Sequence, residues 1–129
     1  MAQRISPANE SAILRGINED AEFRLAARYW NGSFRLSMGA GEAYLFRVRD
    51  GVAVGVNCQP TVWDAFDFEV SGPAEGWAEI FARVPKPFYQ DVASAIFRHG
   101  FVLGGDVESF FAYHAALRRV IDVMRRAGS

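Results

Sequence analysis

Two histidines, one cysteine and a short run of carboxylates are the residues in this chain whose types could do chemistry. His99 and His114 titrate near neutrality, which makes them the candidates for acid–base work. His99 precedes Gly100 at the end of a helical pattern, where a cation complements the helix dipole, so capping is a better account of it than catalysis. His114 lies one helical turn from both Phe110 and Leu117 and can point inward. There it could hydrogen-bond the polar head of a ligand, although a satisfied core histidine is the simpler reading. Cys58 stands alone, so no intramolecular disulfide can form, and it reads as a small buried residue in a reducing compartment rather than as a nucleophile. Asp64, Asp67 and Glu69 cluster, with Asp67 and Glu69 on one face of a strand. Paired carboxylates can move protons, but pairing with Arg47 and Arg49 across the exposed face of a sheet explains them more simply.

Other chemistries find little support. The two histidines and the distant Cys58 match no metal-ligand spacing. Gly39-Ala-Gly41 and Ser71-Gly-Pro73 lack the glycine spacing and following lysine of a phosphate loop, and the only lysine is Lys86. Fourteen basic against fifteen acidic residues, a formal net charge of −1, argue against nucleic acid as the main partner. The N-terminus lacks the apolar run of a signal peptide, and no stretch approaches the roughly 20 apolar residues that span a bilayer. The expectation is a soluble, cytoplasmic protein. Abundant arginine beside a single lysine points to a GC-rich, bacterial genome. Arg118, Arg119, Arg125 and Arg126 make the last helix basic toward its end. A helix in transient contact with a membrane would look like this; an ordinary helix with cations near its C-terminus would too, and is preferred.

The elements that must position these residues follow from periodicity. Residues 1–17, punctuated by Pro7 and Gly16, read as an N-terminal arm or short helix, and residues 18–126 as one domain. Asn18-Glu-Asp20 offers a cap for a helix carrying Phe23, Ala26, Ala27 and Trp30, stopped by Asn31-Gly32. The period then changes to two: Phe34, Leu36 and Met38 in one strand, Tyr44, Phe46 and Val48 in the next. Asp50-Gly51 is a hairpin signal, with Val52, Val54 and Val56 after it. Phe66, Phe68 and Val70 make a fourth strand. A helix over 75–83 carries Trp77, Ile80 and Phe81; a second over 88–99, with Pro87 as its first residue, carries Tyr89, Val92, Ile96 and Phe97. Phe101-Val-Leu103 is a fifth strand. Asp106 can cap a final helix with the stripe Phe110, Tyr113, Leu117, Val120, Ile121 and Met124. The fold class is α+β: a five-stranded, mostly antiparallel sheet covered by helices, with a C-terminal helix.

Half of the residues are hydrophobic and eleven are phenylalanine. Trp77, Phe81, Phe88, Phe97, Phe101, Leu103, Phe110, Phe111 and Leu117 could all be plain core. A ligand cavity is lined by the same kinds of side chain with a few polar groups, so composition leaves both readings open.

The order of the pieces adds to this. The chain resembles the sterol carrier protein type 2 family in three segments: Gly32-Ser-Phe-Arg-Leu36 through Tyr44-Leu-Phe-Arg-Val-Arg-Asp-Gly51; Asp67-Phe-Glu-Val-Ser-Gly-Pro73 with the Trp77 helix; and Phe101-Val-Leu-Gly-Gly-Asp106 before the last helix. Together these span about residues 18–125, and they are patterns of strand, turn and apolar type rather than fixed catalytic residues. The resemblance implies a hydrophobic tunnel between sheet and helices that binds sterols, fatty acids, acyl-CoA or similar lipids, for transport and with no cofactor. The C-terminal helix would form part of the wall, which places Phe110, Phe111, His114 and Leu117 at the ligand, and Trp77, Phe81, Phe88, Phe97, Phe101 and Leu103 complete the expected lining. A full helix over 85–100 departs from the looser passage of many members and would narrow the tunnel. Ala127-Gly-Ser129 lacks the peroxisomal signal of eukaryotic carriers.

The expected function is therefore non-catalytic binding of an apolar small molecule. One alternative is a small cyclase or isomerase using His114 or His99 as base. Another is a filled-core module that docks on a partner enzyme. Ligand identity and oligomeric state stay open at this level.

Overall fold

Strand alternation and helix capping set the layout seen in the computed structural model, which describes residues 4–39 and 41–127. In chain order the elements are α1 (Glu10–Glu19), α2 (Ala21–Ala26), β1 (Gly32–Ser37), β2 (Ala43–Arg49), β3 (Val52–Asn57), β4 (Phe68–Ser71), α3 (Ala74–Ile80), α4 (Val92–Arg98), β5 (Val102–Gly105), α5 (Val107–Ala112) and α6 (His114–Ala127). The strands form one sheet in the order β3-β2-β1-β4-β5. All neighbours are antiparallel except β1 and β4, which run parallel. The α+β class and the mostly antiparallel five-stranded sheet are as the sequence leads one to expect.

Alternation decides which face is covered. Phe34 on β1 sits opposite Phe46 on β2 and Phe68 on β4, and Leu36 sits opposite Tyr44 and Val70. All six are buried, and they join Ile13 and Ile17 of α1, Phe23 of α2, Trp77 and Ile80 of α3, Phe110 of α5 and Leu117, Val120 and Ile121 of α6 in one core. At the tip of the β2–β3 hairpin Asp50 has φ 49° and Gly51 φ 76°, the paired left-handed residues that such a turn requires. Gly51 is also crowded, since a Cβ there would lie 2.8 Å from the Ala27 carbonyl oxygen. In the β1–β2 turn Gly39 and Gly41 are left-handed as well; Ala40 between them lies outside the described residues.

Helix α1 spans the boundary expected at residue 18, and its Ile13 and Ile17 belong to the core together with Ile5. Several other expected details are corrected. Asp20 rather than Asn18 caps the next helix, its side chain accepting from Phe23 N at 2.8 Å. Asn18 instead bridges to β3, donating to Ala53 O at 2.9 Å and accepting from Ala53 N at 2.8 Å. Trp30 lies beyond α2, in the turn leading to β1. β4 neighbours β1, so its carboxylates meet β1 rather than Arg47 and Arg49. Glu69 pairs with Arg35 at 3.2 Å and accepts from Ser37 Oγ at 2.7 Å, while Asp67 accepts from Ser33 N at 3.0 Å.

The full helix expected before the last strand is reduced to α4. Pro85 and Pro87 favour extended backbone before each ring. Phe88 is left-handed at φ 67°, and Asp91 starts the helix by accepting from Ser94 N at 2.9 Å. Residues 81–91 are thus an irregular strap, and Pro87 lies outside any helix. The last strand begins at Val102 rather than Phe101. The final helix is divided at Tyr113 into α5 and α6, with Asp106 capping α5 as expected.

Candidate functional site

The inner face of the sheet carries a continuous aromatic layer. Phe34 stacks on Phe46 at 5.0 Å, on Trp30 at 5.3 Å and on Phe68 at 5.6 Å between ring centroids. Trp30 stacks in turn on Tyr113 at 4.7 Å, and Phe68 meets Phe110 edge-on at 5.5 Å. Phe110 then touches Phe111 at 5.0 Å and the His114 ring at 5.4 Å. A second cluster joins Trp77 to Phe81 at 5.9 Å and to Phe101 at 5.1 Å. Strand alternation places the first set, and the Asp106 cap aims α5 so that Phe110 drops onto it.

The ten residues singled out from the sequence divide by depth. Trp77, Phe81, Phe101, Phe110 and Leu117 are buried in the core, with Leu103 packed at its edge. His114 is half-buried at the first turn of α6. Phe88, Phe97 and Phe111 turn outward, with 45%, 74% and 54% of their surface exposed. Between sheet and helices the buried rings among them pack against one another, Phe68 on Phe110 and Trp77 on Phe101.

The two histidines differ in their surroundings. His99 caps α4, stacks on Tyr89 at 3.8 Å, and its Nε2 lies 3.0 Å from Pro87 O, so the tautomer protonated there ties the strap to the helix end. His114 Nε2 is buried with no hydrogen-bond partner among the described residues. The Asp91 carboxylate stands 3.8 Å away, beyond hydrogen-bond reach. Burial holds the His114 imidazole below its ordinary pKa; Asp91 opposes that shift, and the Arg118 charge adds to it. Cys58 is packed at the core's edge, and burial pushes its thiol pKa up, away from nucleophilic use.

A polar cavity of about 200 Å³ opens beside α6, lined by Glu22, Gln90, Ala115, Arg118, Arg119, Asp122 and Arg125. Arg119 grips Asp20 at 2.8 Å and reaches Asp122 at 3.4 Å. Arg125 donates to Ile80 O at 2.6 Å and 2.9 Å. The basic end of the final helix is therefore largely bound into the fold. The apolar stripe of α6, including Leu117, Val120, Ile121 and Met124, faces the core and not the surroundings.

No family model matches the chain, and no curated protein matches it. Solved structures do. A crystal structure of sterol carrier protein 2 superposes with a TM-score of 0.73 at 23% identity, covering 93% of this chain and 95% of that one. The fold is that of sterol carrier protein 2. A solution structure of a conserved hypothetical protein from Thermus thermophilus, described as a candidate sterol carrier protein, gives a TM-score of 0.72 at 23% identity, covering 96% and 89% of the two chains. A ubiquinone synthesis protein, UbiJ-SCP2, gives 0.53 at 15% identity, covering 93% and 88%.

Two features of this fold are not legible in the sequence. The inner-face rings Trp30, Phe34, Phe46 and Phe68 were legible as apolar positions, and only the β1–β4 pairing shows that they form one layer under Phe110. The arginines of α6 look like ordinary C-terminal cations until Asp20, ninety-nine positions away, is seen to meet Arg119.

Proposed function

We propose that this chain binds and carries an apolar small molecule, such as a fatty acid, acyl-CoA, sterol or similar lipid, by burial and without covalent chemistry. The observation that carries this reading is the near full-length likeness to sterol carrier protein 2. The aromatic layer supports it, since rings from the sheet and from α5 offer one continuous apolar surface.

A ligand that enters among these packed rings needs an opening, and α4 is the element suited to move. Its buried side chains, Val92 and Ala95, are small, with Ala93 and Ile96 partly buried beside them, while its Phe97 points outward. It is flanked by left-handed Phe88 before it and left-handed Gly100 after it, two backbone positions where a hinge can turn. Lifting α4 exposes Val92 and Ala95 together with the partly buried Ala93 and Ile96, and burial of a long acyl chain, at about 0.8 kcal/mol per methylene, is the term that offsets this exposure.

The test is a titration with hexadecanoate, followed by hydrogen exchange. Saturable binding with changed protection confined to residues 81–100 supports the reading, and unchanged exchange with no uptake contradicts it.

One observation favours a second reading, a module that docks on a partner protein. Trp77, Phe81, Phe101, Phe110 and Leu117 already satisfy one another in a closed core. This reading gains if lipids of every class fail to bind while Phe97 and Phe111 are needed for complex formation.

A further inference from the structure

The cavity beside α6 is chemically unlike the rest of the interior, and its guanidiniums are not equivalent. Arg119 is held by Asp20 and Asp122, and Arg125 by Ile80 O and Asp122. Arg118, also in the wall, is exposed and has no hydrogen-bond or ion-pair partner among the described residues. Three guanidiniums face two carboxylates, those of Glu22 and Asp122, so the lining carries one surplus positive charge, and Arg118 is where it lies. Just behind the lining, Asp20 is paired with Arg119 and with Arg126 at 4.0 Å, and the Asp91 carboxylate, which caps α4, keeps its negative charge on the far side of His114, 3.8 Å from Nε2. A volume of about 200 Å³ equals that of roughly six or seven waters, enough for a solvated carboxylate or phosphate.

The cavity is joined to the apolar rings through His114. Tyr113, at φ −116° and ψ 18°, closes α5 and leaves the helical conformation before α6 begins. Within α6, His114, Arg118 and Asp122 follow one flank at four-residue spacing. The His114 ring touches buried Phe110 at 5.4 Å at one end of this strip, and Arg118 stands in the cavity one turn further along. His114 feels the Arg118 charge.

We infer that the cavity is a head-group site and that the ligand is an anionic amphiphile, ending in a carboxylate or a phosphate, with Arg118 as the residue that reads the charge. This rests on the lipid-binding reading above and narrows it, since a neutral sterol would make no use of Arg118.

The experiment compares wild-type protein with Arg118→Gln and Arg118→Lys. Each is titrated with hexadecanoate, hexadecyl phosphate and hexadecanol, followed by tryptophan emission, with thermal melting as the folding control. The wild type is expected to prefer at least one anion over the alcohol by about fivefold at low salt, a preference that shrinks as salt is raised. Arg118→Gln removes the preference and leaves hexadecanol binding unchanged, while Arg118→Lys retains most of it. The ratio between the two anions tells carboxylate from phosphate. Equal binding of alcohol and anions, an anion preference that survives in Arg118→Gln, or equal loss of all three probes in that variant overturns the head-group assignment alone. Failure of the wild type to bind any probe overturns the lipid-binding reading with it.

Discussion

Arg119 on the last helix holds Asp20, the residue that caps the second, with Nη2 2.8 Å from Oδ2 and Nε 3.2 Å from the same oxygen. One carboxylate thus serves two ends of the chain. Its Oδ1 accepts from Phe23 N at the start of α2 while its Oδ2 fixes α6 over the core.

Asp20→Ala is expected to destabilise the fold by about 2 kcal/mol, combining a lost N-cap with a lost charge-assisted hydrogen bond. Arg119 holds the Asp20 carboxyl below the usual carboxylate range. The folded-state pKa is therefore below the unfolded value of about 3.9, so the contribution is full above that value and is lost as pH falls through the folded-state one. Urea unfolding at pH 7 should show the whole difference between wild type and variant, and the difference should shrink below about pH 4. A difference that stays constant to about pH 2 contradicts this account.

Gly51→Ala tests the hairpin. The residue is left-handed, and a Cβ would lie 2.9 Å from Arg28 Cα as well as close to the Ala27 carbonyl. Strain and backbone crowding together should cost about 2 kcal/mol or more. Gly55→Ala on the following strand meets nothing within 4 Å and serves as the control, with little or no loss in thermal melting.

His114 should titrate below the ordinary histidine value of about 6.5, and NMR of its ring protons would show it. Because the folded-state pKa is the lower one, the unfolded chain binds more protons between the two values. Stability from this group is then full above about pH 6.5 and falls as the pH is lowered toward the folded-state value. His114→Leu also removes the unpartnered Nε2, so it should match or exceed wild-type stability at pH 7 and lose stability less steeply between about pH 7 and pH 5. A variant with an unchanged slope shows that some other group carries the acid sensitivity.

Phe97 and Phe111 are largely exposed and contribute little to folding. Phe97→Ser and Phe111→Ser should each change stability by less than about 0.5 kcal/mol. Each should nevertheless weaken hexadecanoate binding severalfold, because both rings offer apolar surface where a ligand would enter. Melting and binding measured on the same preparations separate the two effects; loss of stability without loss of binding would make these residues structural.

Local rules account for what was legible in the sequence. Period-two alternation at Phe34, Phe46 and Phe68 identified the covered face, Asp50-Gly51 fixed the hairpin, and Asp106 marked the final helix. What was illegible depended on long-range pairing. Alternation says nothing of which strand β4 joins, so Glu69 was assigned to Arg47 and Arg49 when its partner is Arg35. The helical spacing of Tyr89, Val92 and Ile96 is real, but Pro85, Pro87 and the left-handed Phe88 keep the backbone irregular until Asp91 caps it. Among the candidate site residues, apolar type alone did not separate buried Phe110 from exposed Phe111, although the two are adjacent.

Uptake of a lipid by the interior can be read by native mass spectrometry of freshly purified protein, followed by extraction and identification of any adduct. The expected result is a stoichiometric apolar adduct, or stoichiometric uptake of added hexadecanoate, with an anionic head group on the molecule recovered. A bare mass that stays unchanged after incubation with fatty acid, sterol and phospholipid would contradict it.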